Sequence, residues 1–150
     1  MPLPEETIER FFAGYAARFN RALGDAPVMD VEGTAAAFAD CFVAANPQGV
    51  ACGKNDSRFR AAIPQGWEFY RRTGMKSMEI TSILVTPLDN MHAMAKVRWD
   101  SRYRRGDGRD EQIEFDVIYL VQIRDGTPKI FAYITGDEEK ALREKGLTPA

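Results

Sequence analysis

Residues 75–136 read MKSMEITSILVTPLDNMHAMAKVRWDSRYRRGDGRDEQIEFDVIYLVQIRDGTPKIFAYITG, and the reading of this stretch decides the fold. Apolar and polar residues alternate along it with a period of two, the repeat of a strand with one buried face. Three turn sequences divide it: Pro87-Leu88-Asp89-Asn90, Gly106-Asp107-Gly108 and Asp125-Gly126. The expectation is four long strands, residues 75–86, 91–103, 111–124 and 129–136, joined as a meander. Counting outward from the turns sets Leu84 opposite Ala93, Trp99 opposite Phe115, Val97 opposite Val117, Tyr119 opposite Ala132 and Val121 opposite Ile130. One face then carries Met78, Ile80, Leu84, Met91, Ala93, Ala95, Val97, Trp99, Phe115, Val117, Tyr119, Val121, Ile130, Ala132 and Ile134. A slip of one residue would scatter that set. The reverse face mixes His92, Lys96, Arg98, Asp100, Glu114 and Asp116 with Ile83, Val85, Ile118, Leu120, Phe131 and Tyr133.

Upstream of Gly74 the period is helical. Ile8, Phe11, Phe12, Tyr15, Phe19 and Leu23 share one face of a first helix. Pro4, Glu5 and Glu6 suit its start, and Gly24 stops it. A second helix is expected from Asp30 or Thr34 to Ala45, on the one-turn spacing of Phe38 and Phe42. Residues 49–53 make a short strand. A third helix, capped at residues 55–57, carries Phe59, Ile63, Trp67 and Tyr70 and ends at Gly74. After the meander, Asp137 caps a last helix over residues 138–145, with Leu147 folding back beyond Gly146. Helices followed by a long meander predict an α+β domain. Its antiparallel sheet, a four-strand meander plus a short strand, packs on three N-terminal helices, with a short C-terminal helix.

A chain of 150 residues suits a single domain over residues 1–150. Its 45% apolar and 28% charged residues are those of an ordinary globular protein. A net charge of −2 offers no general attraction to nucleic acid or to anionic membrane, so neither is expected as a partner. Arg102, Arg104, Arg105 and Arg109 crowd one hairpin tip, but Asp107, Asp110 and Glu111 lie beside them and a solvated hairpin is expected. The start, MPLPEETIER, lacks a basic segment followed by an apolar run. Cys41 and Cys52 are too few for a disulfide framework, so reduced thiols in a cytoplasmic protein are expected. His92 is the only histidine, and no Ser or Cys sits in a nucleophile elbow. No metal and no cofactor is expected.

The segments MAKVRW (residues 94–99), FDVIYLVQI (115–123) and KIFAYI (129–134), set behind three helices, resemble the nuclear-transport-factor-2-like superfamily. That group includes ketosteroid isomerases, polyketide cyclases, scytalone dehydratase and limonene-epoxide hydrolases. The resemblance implies that the α+β domain is a curved antiparallel sheet packed on the three N-terminal helices as a cone-shaped barrel, with a largely apolar cavity between the helices and the sheet. A ketosteroid isomerase uses a carboxylate base with a tyrosine and a protonated aspartate against the enolate oxygen. By resemblance Tyr15 matches that tyrosine and Tyr119 stands where the protonated acid would be. The base falls near Cys52, where no carboxylate stands, so the isomerase mechanism does not carry over. Arg98, Asp100 and Asp116 are similar to the Asp–Arg–Asp set of limonene-epoxide hydrolases. Strand parity puts all three on the outward face, where a cross-strand ion pair is expected.

The pocket wall is expected to comprise Tyr15, Met91, Ala93, Val97, Trp99, Phe115, Val117 and Tyr119, with small alanines leaving volume among them. A phenol with a pKa near 10 serves as a hydrogen-bond donor rather than a base. The reading is therefore a binding module for a small hydrophobic molecule with one oxygen acceptor. The alternative is an isomerase, cyclase or dehydratase acting on a polyketide- or steroid-like substrate. That alternative needs an acid reaching the cavity from a helix or loop, for which Asp40 and Glu68 are the candidates. The apolar share of the outward face predicts a homodimer formed through it.

Overall fold

Helix α1 (Glu5–Leu23) buries Ile8, Phe12, Ala16 and Leu23 along one stripe, with Glu5 and Glu6 in its first turn. The structure, a computed structural model, describes residues 3–147. Gly24 ends α1 in extended backbone, without a left-handed turn. A short helix α2 (Val31–Ala35) follows, capped by the Asp30 carboxylate on the Gly33 N–H at 2.9 Å.

The second helix expected as far as Ala45 stops at Ala35. Phe38–Asn46 is instead strand β1, turning into β2 (Gly49–Lys54). A spacing of four suits both periods, because residues two pairs apart also share a strand face. Phe38 and Phe42 are both buried. The Phe42 ring lies over Gly53, where a Cβ would stand 2.7 Å from it, so the glycine makes room for the ring.

Helix α3 (Ser57–Thr73) is capped by the Asp56 carboxylate, which accepts from the N–H groups of Arg58 and Phe59 at 3.0 and 3.1 Å. It leaves through Gly74 at φ +90°, where a Cβ would stand 2.1 Å from the Arg104 carbonyl oxygen. Both the backbone sign and the lack of space require glycine there.

The meander is present as β3 (Met75–Pro87), β4 (His92–Arg104), β5 (Asp110–Arg124) and β6 (Thr127–Ile134). The full sheet has the order β2-β1-β6-β5-β4-β3, and β1 runs parallel to β6. The sheet is therefore six-stranded and mixed. Its edge strands β2 and β3 are unpaired with each other, so it does not close into a barrel.

The β4–β5 register follows the turn count, with Trp99 opposite Phe115 and Val97 opposite Val117. The β3–β4 turn, which closes with Pro87 opposite Ala93, and register shifts in β3 and β6 change the other pairings. Between Ile80 and Ser82 the β3 register shifts, and Ile83 and Val85 face Val97 and Ala95, while Leu84 pairs with Lys96 on the outer face. Between Leu120 and Val121 the β5–β6 register shifts, so that Tyr119 pairs with Tyr133 and Leu120 with Ala132. Tyr133 thereby moves to the inner face and Ala132 and Ile134 to the outer one, opposite to the expectation. An extra residue reverses the parity of everything beyond it.

Asn20 fastens α1 to the sheet edge. Its amide donates to the Met78 carbonyl at 2.8 Å and accepts from the Met78 N–H at 2.8 Å. Helix α4 (Glu138–Glu144) is capped by the Asp137 carboxylate on the Lys140 N–H at 3.0 Å. Leu147 folds back onto it as expected, its N–H donating to the Leu142 carbonyl at 2.9 Å, and both leucines are buried. No helix among the described residues is long and apolar enough to cross a membrane.

Candidate functional site

The inner sheet face, α1, α3 and α4 enclose a cavity of about 300 Å³. All 5 tyrosines of the chain line it: Tyr15 from α1, Tyr70 from α3, and Tyr103, Tyr119 and Tyr133 from the sheet. Trp99, Phe115, Val117, Met75 and Met78 supply apolar wall between them.

At the closed end Trp99 is fully buried and its indole N–H donates to the Tyr119 hydroxyl at 3.2 Å. The Tyr119 proton is left to point elsewhere. Tyr15 faces it across the cavity, with ring centroids 6.4 Å apart, and lies 6.3 Å from the Trp99 ring. Tyr133 stands 6.5 Å from Tyr119 on the next strand. Among the described residues, neither the Tyr15 nor the Tyr133 hydroxyl has a hydrogen-bond partner.

Every one of these phenols is a donor at neutral pH. Burial pushes the Tyr15 hydroxyl up to about 12, helped by Tyr133 and opposed by the Arg18 guanidinium. Burial raises Tyr119 well above its ordinary value, with Tyr15 adding to the effect and the hydrogen bond from Trp99 opposing it. A phenolate in this setting would lose hydration that the aromatic walls cannot replace.

The mouth has a different chemistry. The Tyr70 hydroxyl donates to the Glu138 carboxylate at the start of α4. Glu138 is exposed as a residue, yet its carboxyl group is tucked against Tyr70. Partial desolvation raises its pKa above the ordinary glutamate value, and the hydrogen bond from Tyr70 opposes that rise. Burial, and then the neighbouring Glu138 charge, push Tyr70 well above its own ordinary value. The pair places a weakly acidic carboxyl beside an apolar chamber.

Of the wall residues read from the sequence, Tyr15, Trp99, Phe115, Val117 and Tyr119 lie on the cavity. Met91, Ala93 and Val97 do not. Ala93 and Val97 are completely buried in the packing behind it. Met91 sits in the β3–β4 turn, 41% exposed, with its N–H bound to the Asp89 carboxylate at 2.8 Å. Asp40 is exposed, and Glu68 is an exposed partner of Arg71 at 3.7 Å, so neither candidate acid reaches the cavity.

Three acidic residues do line it, Glu114, Asp137 and Glu138. Glu114 is paired with Arg98 and Asp137 with the Lys140 N–H, while Glu138 reads in sequence only as a favourable charge in the first turn of a helix. Tyr133 was hidden by the β6 bulge. Tyr103 was legible, because it lies two strand pairs beyond Trp99 on the same face. Arg98 and Asp116 meet on the outer face at 3.4 Å, with Glu114 at 3.3 Å from the same guanidinium. Asp100 is held there by Gln112 at 2.8 Å and Arg102 at 3.1 Å. His92 also faces outward, between Asp89 at 2.8 Å and Gln122 at 3.0 Å. Among the described residues no group of three or more His, Cys, Asp or Glu side chains is placed to hold a metal ion.

No curated protein matches the sequence. Solved structures similar to this fold include an NTF2-like protein with a cystatin-like fold from Novosphingobium aromaticivorans, at TM-score 0.67 and 15% identity, covering 93% of this chain and 86% of that one. An NTF2-like protein of unknown function from Shewanella oneidensis follows at 0.65 and 17%, covering 90% of this chain and 100% of that one. A ketosteroid isomerase-like protein from Erwinia carotovora is similar at 0.58 and 18%, covering 87% of this chain and 93% of that one. At such identities the likeness is one of fold. The profile of one sequence family, described as NTF2-like protein (DUF6841), matches residues 5–138, which takes in both helices that bear cavity tyrosines, the whole sheet and Glu138. This chain is a member of that NTF2-like family.

Proposed function

We propose that the protein binds a small, mainly apolar molecule carrying an oxygen acceptor, held by the tyrosine hydroxyls of the cavity. The observation that supports this reading is the convergence of all 5 tyrosines on one chamber of about 300 Å³. Two of those hydroxyls, on Tyr15 and Tyr133, have no partner among the described residues. Both open onto the cavity, where a hydroxyl takes a partner that is offered, and a ligand carbonyl or ether oxygen supplies one. The two unpaired thiols, Cys41 and Cys52, both exposed, support a cytoplasmic setting.

A second reading is an isomerase, cyclase or dehydratase acting on such a molecule. One observation favours it: Glu138, with its raised pKa, stands at the mouth beside Tyr70. A carboxyl group whose pKa is raised and which stands beside the chamber is suited to passing a proton to or from a bound molecule.

Titration calorimetry with aromatic ketones tests the binding reading. Loss of both free hydroxyls in Tyr15→Phe/Tyr133→Phe is expected to weaken ketone binding by about tenfold, from roughly 1 kcal/mol per hydrogen bond less what water recovers. Unchanged affinity in the double variant removes the polar anchor from the reading. Deuterium exchange of an enolisable ketone, seen with wild type and lost in Glu138→Gln while affinity holds, selects the enzymatic reading.

We also propose that two copies pair through the outer sheet face. Two cross-strand rows support it: Met94, Leu120 and Ala132, and Leu84, Ile118 and Ile134 beside Lys96.

A further inference from the structure

A second hollow adjoins the first. It measures about 210 Å³ and lies between α1, α2, α3 and the start of β1, with Phe59, Ile63, Gly66 and Trp67 on its wall. Tyr15, Phe19, Phe38, Tyr70 and Tyr133 line both hollows. Tyr15 and Tyr133, which carry the two free hydroxyls, therefore line the junction of the two chambers.

Gly66 supplies an independent observation. It lies inside α3, on the stripe of Phe59, Ile63, Trp67 and Tyr70 that faces the chamber. A glycine in a helix interior costs about 1 kcal/mol relative to alanine. Close packing does not account for it, since a Cβ at Gly66 meets no atom within 4 Å, and its φ is not in the left-handed region. What the missing side chain does is leave the chamber open.

Resting on the binding reading above, we propose that the ligand spans both chambers, with its oxygen acceptor near its middle, between Tyr15 and Tyr133, and a ring at each end. An apolar cavity of about 150 Å³ takes up benzene. The second chamber, at about 210 Å³, thus has room for one ring, and the first for a ring with further substituents. The chain's 2 tryptophans divide between them, Trp99 on the first chamber and Trp67 on the second.

Two isomeric ketones test the proposal. Deoxybenzoin carries its carbonyl between two separate rings, and para-acetylbiphenyl carries it at one end of two joined rings. Wild type is expected to bind deoxybenzoin about tenfold more tightly, because only that isomer buries both rings while its oxygen meets the junction. Filling the second chamber with Gly66→Leu is expected to cost deoxybenzoin about tenfold and to leave single-ring acetophenone within about twofold. Gly66→Ala controls for the gain in helix propensity. If Gly66→Leu loses acetophenone as well, Ala62→Leu, one turn earlier on the same stripe, is read in its place. Equal affinity for the two isomers, or deoxybenzoin binding indifferent to the filled chamber, overturns the two-chamber ligand while leaving the first cavity as a site. Failure of every ketone to bind wild type overturns both readings.

Discussion

Tyr15 packs its ring against Phe12, Phe38, Trp99 and Tyr119 and keeps its hydroxyl for the cavity. The same desolvation that makes it a firm donor ties its ionisation to stability. An unfolded tyrosine releases its proton near pH 10, whereas folded Tyr15 holds it to about 12. In that window the unfolded chain binds fewer protons, so stability must fall as pH rises. The contribution is on the order of 2 kcal/mol, whole below about pH 10 and lost as pH passes about 12. Urea unfolding midpoints across this range are expected to fall less steeply in Tyr15→Phe than in wild type. Superimposable slopes in the two proteins would show that Tyr15 ionises freely when folded. Glu138 has the same sign at a lower pH, its raised pKa favouring the folded state most strongly where the carboxyl is protonated.

At the level of elements, the cavity depends on how α1 meets β3. The Asn20 side chain joins them by bonding both backbone groups of Met78, and a third bond from its amide reaches the Ala16 carbonyl at 2.9 Å. Asn20→Ala would leave two half-buried backbone groups without partners. A loss of roughly 1–3 kcal/mol is expected, read from chemical unfolding, together with weaker ligand binding as α1 and Tyr15 shift. A variant as stable as wild type would show that water replaces the side chain without penalty. The bulges in β3 and β6 matter as much. The one in β3 turns Ile83 and Val85 inward, and the one in β6 turns Tyr133 inward with one of the two free hydroxyls.

For the whole molecule, the same bulges thin the outer face. Ile83, Val85 and Tyr133 leave it, while Leu84 at 64% and Ile134 at 48% exposure join it. Apolar side chains still run across β6, β5, β4 and β3, interrupted by Lys96 and Arg98 with their acidic neighbours. A self-complementary patch of that kind suits a two-fold pair. Light scattering at high micromolar concentration is expected to give the mass of two chains, and Leu120→Arg to return it to one. A wild-type monomer at that concentration would sink the pairing.

Much of this was already set by local chemistry. Amphipathic spacing marked α1 and α3, turn residues marked the meander, and the polar residues 55–57 and Asp137 marked two helix starts. These signals act within a few residues of themselves, so one sequence suffices to read them. The choice of strand over helix for residues 38–46 was not legible, since Phe38 and Phe42 satisfy either period. The parity reversals in β3 and β6 depend on which strand lies alongside. Glu138 joins the cavity only because α4 folds back over its mouth. The sequence by itself thus determined the elements outside residues 38–46, the family and the aromatic stock of the cavity. Tertiary structure alone decided which tyrosines meet and which acid stands beside them, because pairing register and helix docking arise from contacts between residues far apart in the chain.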